Sequence, residues 1–85
     1  MTTKKLHWYM LNLNFLQDSN PIPKNHVVYL PMEDKYENIN ASLVKQFSML
    51  GKEWLENNGH PHIMDIFTTS ITYLGFMSNE EFYAE

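Results

Sequence analysis

The chain lacks cysteine and arginine, has only three glycines and contains no long hydrophobic run. The absence of cysteine excludes disulfide bonds, thiolate metal ligands and cysteine nucleophiles, so packing within the chain or against a partner must stabilise these 85 residues. Because the apolar runs are short and the chain begins Met-Thr-Thr-Lys-Lys, we expect no membrane span, no signal peptide and a cytoplasmic location.

The charge balance argues against nucleic-acid binding. All six basic residues are lysines, and ten acidic residues leave a formal net charge of −4. Proteins that bind DNA or RNA concentrate lysine and arginine on one face, and arginine supplies the bidentate contacts to bases and phosphates. We therefore expect no direct contact with nucleic acid.

Few features of the sequence indicate catalysis. The three glycines at positions 51, 59 and 75 form no glycine-rich phosphate loop, and no serine lies in a Gly-x-Ser-x-Gly setting. We therefore predict a non-enzymatic protein that needs no cofactor. A hydrophobic content of 44% with 14% aromatic residues is typical of a globular fold, and 85 residues predict a single domain over residues 1–85.

The segment Leu6 to Leu16 predicts a central β-strand with large apolar groups on both faces. Alternation places His7 and four further residues on one side, which we predict to be the core side. The opposite side begins apolar and then turns polar. The four further core-side residues are Tyr9, Leu11, Leu13 and Phe15, and the opposite side carries Leu6, Trp8, Met10, Asn12, Asn14 and Leu16.

Turn-forming residues between Gln17 and Asn25 predict a loop, and residues 26–30 predict a second strand at a sheet edge, closed by Pro31. Apolar residues then recur with helical spacing, with Asn38 or Asn40 as the cap and the end at Asn57-Asn58-Gly59. The predicted apolar stripe, which places Trp54 in the core, consists of Ile39, Leu43, Val44, Phe47, Leu50, Trp54 and Leu55. Gly51 inside the helix indicates either a close approach to the sheet or a break.

A third strand is predicted from Ile63 to Phe76, with Phe67, Ile71 and Tyr73 on one face and the hydroxyl residues 68, 70 and 72 on the other. Ser78-Asn79-Glu80-Glu81 matches a capping box and predicts a short terminal helix. A β-β-α-β order with a crossover predicts an α+β fold, in which a three-stranded sheet of order 2-1-3 has one long helix on one face.

One helix covers one face of that sheet, which leaves Leu6, Trp8 and Met10 as candidate partner-binding residues, because exposed aromatics beside methionine are typical of interface centres. In the alternative, the terminal helix covers Trp8 through Phe82 and Tyr83. Acidic residues are candidates for steering the chain toward a basic partner, although helix-start and solubility roles are the more common explanation of such residues. They are Glu33, Asp34 and Glu37 in the connector and Glu80, Glu81 and Glu85 at the tail.

His60-Pro61-His62 places two imidazoles close together, near His7 or His26 if the loops meet. Zinc needs three or four ligands in tetrahedral geometry, so two loop histidines predict no metal site. A small metal-dependent enzyme using His60, His62 and nearby acids remains the most distant alternative.

Residues 73–82 read Tyr-Leu-Gly-Phe-Met-Ser-Asn-Glu-Glu-Phe, and this ending resembles those of short phage reading frames. In size, acidity and lack of cysteine the chain is similar to small phage-encoded anti-defence proteins of the anti-CRISPR type. The resemblance implies an inhibitor in the host cytoplasm that occupies a surface of a host or nuclease complex, often a basic surface that otherwise holds nucleic acid. It assigns no residue.

Two hypotheses follow besides the enzyme. In the first, the chain is a non-enzymatic binding protein that docks on and inhibits a protein partner through the face around Trp8 and Met10. In the second, it is a structural homodimer whose sheets pair edge to edge or face to face.

Overall fold

Three strands form one antiparallel sheet with the first strand in the centre. The computed structural model describes residues 4–18 and 20–84. In chain order the elements are β1 (Lys5–Gln17), β2 (Asn20–Met32), α1 (Ala41–Asn57), β3 (Ile63–Ser78) and α2 (Asn79–Phe82). The strand order is β2-β1-β3, and β1 is antiparallel to both neighbours. The predicted α+β class, element order and sheet order are confirmed.

The core lies between the sheet and α1. The side of β1 that was predicted to be the core side carries Tyr9, Leu11, Leu13 and Phe15, and all four are buried. They form one cluster with residues of α1, notably Leu43, Phe47 and Leu55. Burial of each large side chain contributes about 1.5–3 kcal/mol, so this layer supplies most of the stability.

The ends of α1 follow from asparagines. The side chain of Asn40 accepts a hydrogen bond of 2.9 Å from the backbone N–H of Leu43, which satisfies one of the free donors in the first turn. At the other end, the N–H of Asn58 donates to the carbonyl of Leu55. Asn40 is therefore the cap, and Ile39 precedes the helix.

Gly51 marks the closest approach of α1 to the sheet, and the helix continues through it without a break. A Cβ at this position would lie 2.6 Å from Cδ1 of Leu13 and 3.5 Å from Cδ1 of Leu11. Any side chain at this position would force Leu13 to move, so the glycine allows α1 to pack closely on β1, which explains its unfavourable position in a helix.

Trp54 is not a core residue, in contrast to the prediction. The buried positions of α1 are Leu43, Phe47, Gly51 and Leu55, in steps of four. Because successive residues are rotated by about 100° around a helix, Trp54 lies to the side of this stripe. It is 36% exposed, and its ring stacks on that of His26 at a centroid distance of 5.8 Å.

The prediction of a loop between Gln17 and Asn25 is wrong. Gln17 pairs directly with Asn20, and β2 continues from there through Pro21 and Pro23. The prolines are tolerated because β2 lies at an edge, where a residue that cannot donate a hydrogen bond leaves no neighbouring strand unsatisfied. The prediction of an edge position for the second strand is confirmed.

The predicted faces of the third strand need one correction. Ser70 pairs with Asn12 and Thr68 pairs with Leu13, so Thr69 is an extra residue in a bulge. The bulge reverses the alternation, which puts Thr68 on the helix side, where its hydroxyl bonds that of Ser48. Phe67 consequently lies on the opposite face from Ile71 and Tyr73.

Candidate protein-binding surface

The terminal helix covers Trp8, as the alternative interpretation of the sequence predicted. The Ser78 hydroxyl accepts a hydrogen bond from the N–H of Glu81, and the Glu81 carboxylate accepts one from the N–H of Ser78, so the predicted capping box is confirmed. This turn places the ring of Phe82 on the ring of Trp8, stacked at 3.9 Å. Trp8 Nε1 also donates to the carbonyl of Met77 at 3.0 Å.

Trp8 is therefore a buried residue, and the interpretation of it as part of an open surface is wrong. It is 2% exposed. The two other apolar candidates on that face, Leu6 and Met10, are half-buried. Leu6 pairs with Met77 at the end of the sheet where the α2 turn lies, whereas Met10 lies farther along β1.

Beyond Phe82 the sheet face opposite α1 remains uncovered. Met10 pairs with Tyr29 of β2 and Thr72 of β3. The rings of Phe82 and Tyr29 are in a T-shaped arrangement with a centroid distance of 5.3 Å. From there to Asn14 and its partners we call the surface the open face, and Asp65, which pairs with Leu16, lies just beyond it on the same side of the sheet. The residues of the open face are Met10, Asn12, Asn14, Asn25, Val27, Tyr29, Phe67, Ser70 and Thr72.

Within these bounds the open face carries no charged side chain, with Asp65 at its border, and amides occupy its centre. Asn25 Nδ2 donates to Asn12 Oδ1 at 2.6 Å and to Asn14 Oδ1 at 2.8 Å, and it also donates to the backbone carbonyl of Leu13. These bonds link the three asparagine side chains across β1 and β2. Phe67 projects beside them and is 58% exposed. Such a mixture of uncharged polar and aromatic groups, with charge excluded, is the composition of the centre of a protein interface.

The acidic residues lie at one end of the sheet, where β1 begins and β2 and β3 end. Glu33 pairs with Lys4, and Glu81 lies 3.7 Å from Lys5. Among the described residues, no lysine lies within ion-pair distance of Asp34, Glu37 or Glu80, and all three are exposed. Glu85 lies outside the described residues.

Two of these carboxylates are stabilised in their charged form. A hydrogen bond from Lys4 and its positive charge lower the pKa of Glu33. The backbone N–H and the hydroxyl of Ser78, followed by the charge of Lys5, lower the pKa of Glu81. Both carboxylates therefore have local partners, which leaves the other three as the residues free to attract a basic surface.

The structure brings His60 to His26 but not to His7. The ring centroids of His60 and His26 lie 5.0 Å apart, and the ring of Phe15 lies edge-on to that of His60 with a centroid distance of 5.5 Å. His7 lies at the acidic end of the sheet, where its Nδ1 is 2.9 Å from the hydroxyl of Tyr73. In residues 4–18 and 20–84 no three histidine, aspartate or glutamate side chains are placed so that they could hold a metal ion.

The position of His60 predicts that the free energy of unfolding decreases in weak acid. Desolvation, followed by the charges of His26 and Lys24, lowers the pKa of His60 below its usual 6.5. The unfolded chain therefore takes up this proton before the folded chain does, so stability is complete above the usual pKa and falls as the pH drops through it. We expect urea unfolding from about pH 7.5 to about pH 5.5 to show this decline.

The control for this prediction is His60→Gln, which removes the titrating group and keeps a side chain of similar length. Its stability should fall less than that of the wild-type protein over the same pH range. An equal decline in both proteins would show that His60 does not cause the pH dependence.

Sequence reasoning missed four residues of the open face: Asn25, Val27, Tyr29 and Phe67. Val27 and Tyr29 could be assigned to this face by counting outward from a tight turn, because the irregularity between Phe15 and Gln17 shifts the register by two residues and keeps the alternation. Phe67 could not, because only the bulge at Thr69 turns it to this face.

These features define a class of protein: a small α+β domain in which a single helix packs on one face of an antiparallel sheet and leaves much of the other face open. In the part of the chain that the structure describes, neither helix has the length and apolar character required to cross a membrane. The chain matches no protein-family model, no curated protein and no solved structure.

Proposed function

We propose that the protein is a non-enzymatic binding protein that docks on another protein through the open face and inhibits it by occupying its surface. The observation that carries the proposal is the uncharged open face itself, on which Met10, Tyr29 and Phe67 surround a fixed amide network. Aromatic residues and methionine at the centre of an uncharged patch are the groups that interfaces enrich.

The carboxylates at the acidic end of the sheet attract a partner that has a basic surface. Asp34 and Glu37 in the connector and Glu80 in α2 are exposed carboxylates outside the uncharged centre. Charges around an interface raise the association rate and favour partners of opposite charge more than they increase affinity. A partner with a basic surface, such as one that otherwise holds nucleic acid, fits this arrangement.

The open face can be tested with three baits in affinity capture from the native host. Besides the wild-type chain, the baits are Phe67→Asp on the open face and Met49→Asp on the outer side of α1, where the methionine is 63% exposed. An unpaired charge buried in an interface costs several kcal/mol, so Phe67→Asp should reduce recovery of the partner by at least about tenfold. Met49→Asp should recover it as the wild type does.

Equal recovery by Phe67→Asp and the wild type would contradict the proposal, provided that circular dichroism shows both folded. Loss of the partner with Met49→Asp alone would place the binding surface on α1 instead.

A further inference from the structure

The two edges of the sheet differ in how they are protected. The outer edge of β2 carries three prolines and Lys24, which are features that prevent an edge from pairing with another strand. The outer edge of β3, by contrast, contains no proline and no lysine over 16 residues, Asp65 is its only carboxylate, and bulges are the protective feature that it retains. Within the described residues no strand pairs with this edge, which we call the free edge.

Bulges divide the free edge and identify its central part. Met64, Thr69 and Leu74 are each an extra residue relative to β1. Bulges twist a strand and interrupt pairing, so a new strand must pair with the regular stretch between two of them. Two such stretches exist, Asp65–Thr68 and Ser70–Tyr73, and only the second contains no charged residue. The side chains of Ser70 and Thr72 are exposed there.

A shallow groove runs beside the same stretch. It has a volume of about 260 Å³ and is lined by Ile39, Val44 and residues 68–71. Ile39 is exposed and apolar, and it lies just before the cap of α1. A strand added to the free edge would place side chains over this groove, since strand addition combines main-chain hydrogen bonds with side-chain pockets.

We propose that β3 pairs antiparallel with β3 of a second copy of this chain, so that two sheets join into one of six strands. A net charge of −4 on each copy opposes association, but residues 66–78 are free of charged side chains. In an antiparallel pair centred on Ser70–Thr72, Asp65 lies opposite the far end of β3 in the second copy, so the two Asp65 carboxylates are far apart. Pairs of serine and threonine then meet at the centre, and these stabilise a sheet.

The symmetry of this dimer leaves the open face accessible. Antiparallel pairing of identical edges requires a two-fold axis perpendicular to the sheet, so both copies of α1 lie on one side and both open faces on the other. The grooves meet at the axis and cover Ile39 of each copy. This inference does not rest on the proposed function, because the pairing uses the backbone of the outer edge of β3, although the side chains of Ser70 and Thr72 also lie on the open face.

Sedimentation equilibrium of the wild-type chain should give twice the monomer mass in the micromolar range. Thr72→Lys places two positive charges near the axis and should raise the dissociation constant of the dimer by at least about tenfold. Its matched control is Val27→Lys, which lies on the same sheet face at the β2 edge and should leave the constant unchanged. A monomer mass for the wild-type chain overturns the proposal.

Because the chain has no cysteine, single cysteines can report the pairing. We expect Ser70→Cys and Thr72→Cys, oxidised separately and as a mixture, to form disulfide-linked dimers. If the two-fold axis passes through residue 70 or 72, the variant at that residue links to a second copy of itself. If the axis passes through Ile71, the Ser70→Cys chain links to the Thr72→Cys chain in the mixture. Directly opposed Cα atoms about 4.5–5.5 Å apart permit the bond. Val27→Cys should link several-fold less. Efficient linking by Val27→Cys without linking by either β3 variant would overturn the proposal even if the chain is dimeric.

Discussion

Trp8→Ala should destabilise the protein by about 3–5 kcal/mol, because the substitution removes a large buried ring and leaves a cavity. The ring is 2% exposed, stacks on Phe82 and donates a hydrogen bond to the carbonyl of Met77. Alanine loses all three interactions and releases the α2 turn. Since small domains are stable by only about 5–15 kcal/mol, urea unfolding should show a large shift or complete loss of folding.

Two controls keep this prediction informative. Trp8→Phe retains a ring against Phe82 but loses the indole donor, so it should cost about 1–2 kcal/mol and remain folded. Trp54→Ala removes the second tryptophan, which is 36% exposed on α1, and should cost less than Trp8→Ala. An equal or larger effect of Trp54→Ala would contradict the burial of Trp8 beneath α2.

Gly51→Leu should destabilise the protein by about 3 kcal/mol, although helix propensity alone predicts a gain of about 1 kcal/mol. The first carbon of any side chain already meets Cδ1 of Leu13 at 2.6 Å, and a leucine needs three further carbons in the same space. To accommodate them α1 must move away from β1, which disrupts the burial of Phe47 and Leu55. The opposite signs of the two effects make urea unfolding decisive.

Met49→Leu is the matched control, because it introduces the same side chain two residues earlier on the exposed side of α1. Its free energy of unfolding should change by less than about 0.5 kcal/mol. A more stable Gly51→Leu protein would show that the helix does not approach the sheet as closely as the structure indicates.

The fold could be predicted where periodicity is strong. Alternation along β1 identified the core side from Tyr9 to Phe15, and helical spacing with Asn40 as the cap located α1. The capping box at Ser78 was evident because its residue types have fixed roles at fixed positions. Local signals of this kind depend on a few neighbouring residues and are readable without tertiary structure.

Predictions failed where tertiary context decides. The two tryptophans exchanged roles: Trp54 was predicted to be buried and is exposed, whereas Trp8 was a candidate surface residue and is buried. Gly51 lies at the centre of the α1 contact, which turns Trp54 to the side, and only the fold of the tail brings Phe82 over Trp8. The bulge at Thr69 has no local sequence signal, so the place of Phe67 on the open face was not predictable.

The histidines show a similar limit. The sequence placed His60 near either His7 or His26, and the register of β1 and β2 selects His26. For the acidic residues, topology alone brings the connector and the tail to one end of the sheet, whereas the partners of Glu33 and Glu81 depend on lysines near the chain start.

Hydroxyl-radical footprinting of the captured complex tests most directly whether the open face is the binding surface. The method uses the unmodified chain and compares side-chain oxidation with and without the partner. We predict that the partner protects Met10, Tyr29 and Phe67, while oxidation of Met49 on the outer side of α1 is unchanged. Protection of Met49 with unchanged oxidation of Phe67 would contradict the account.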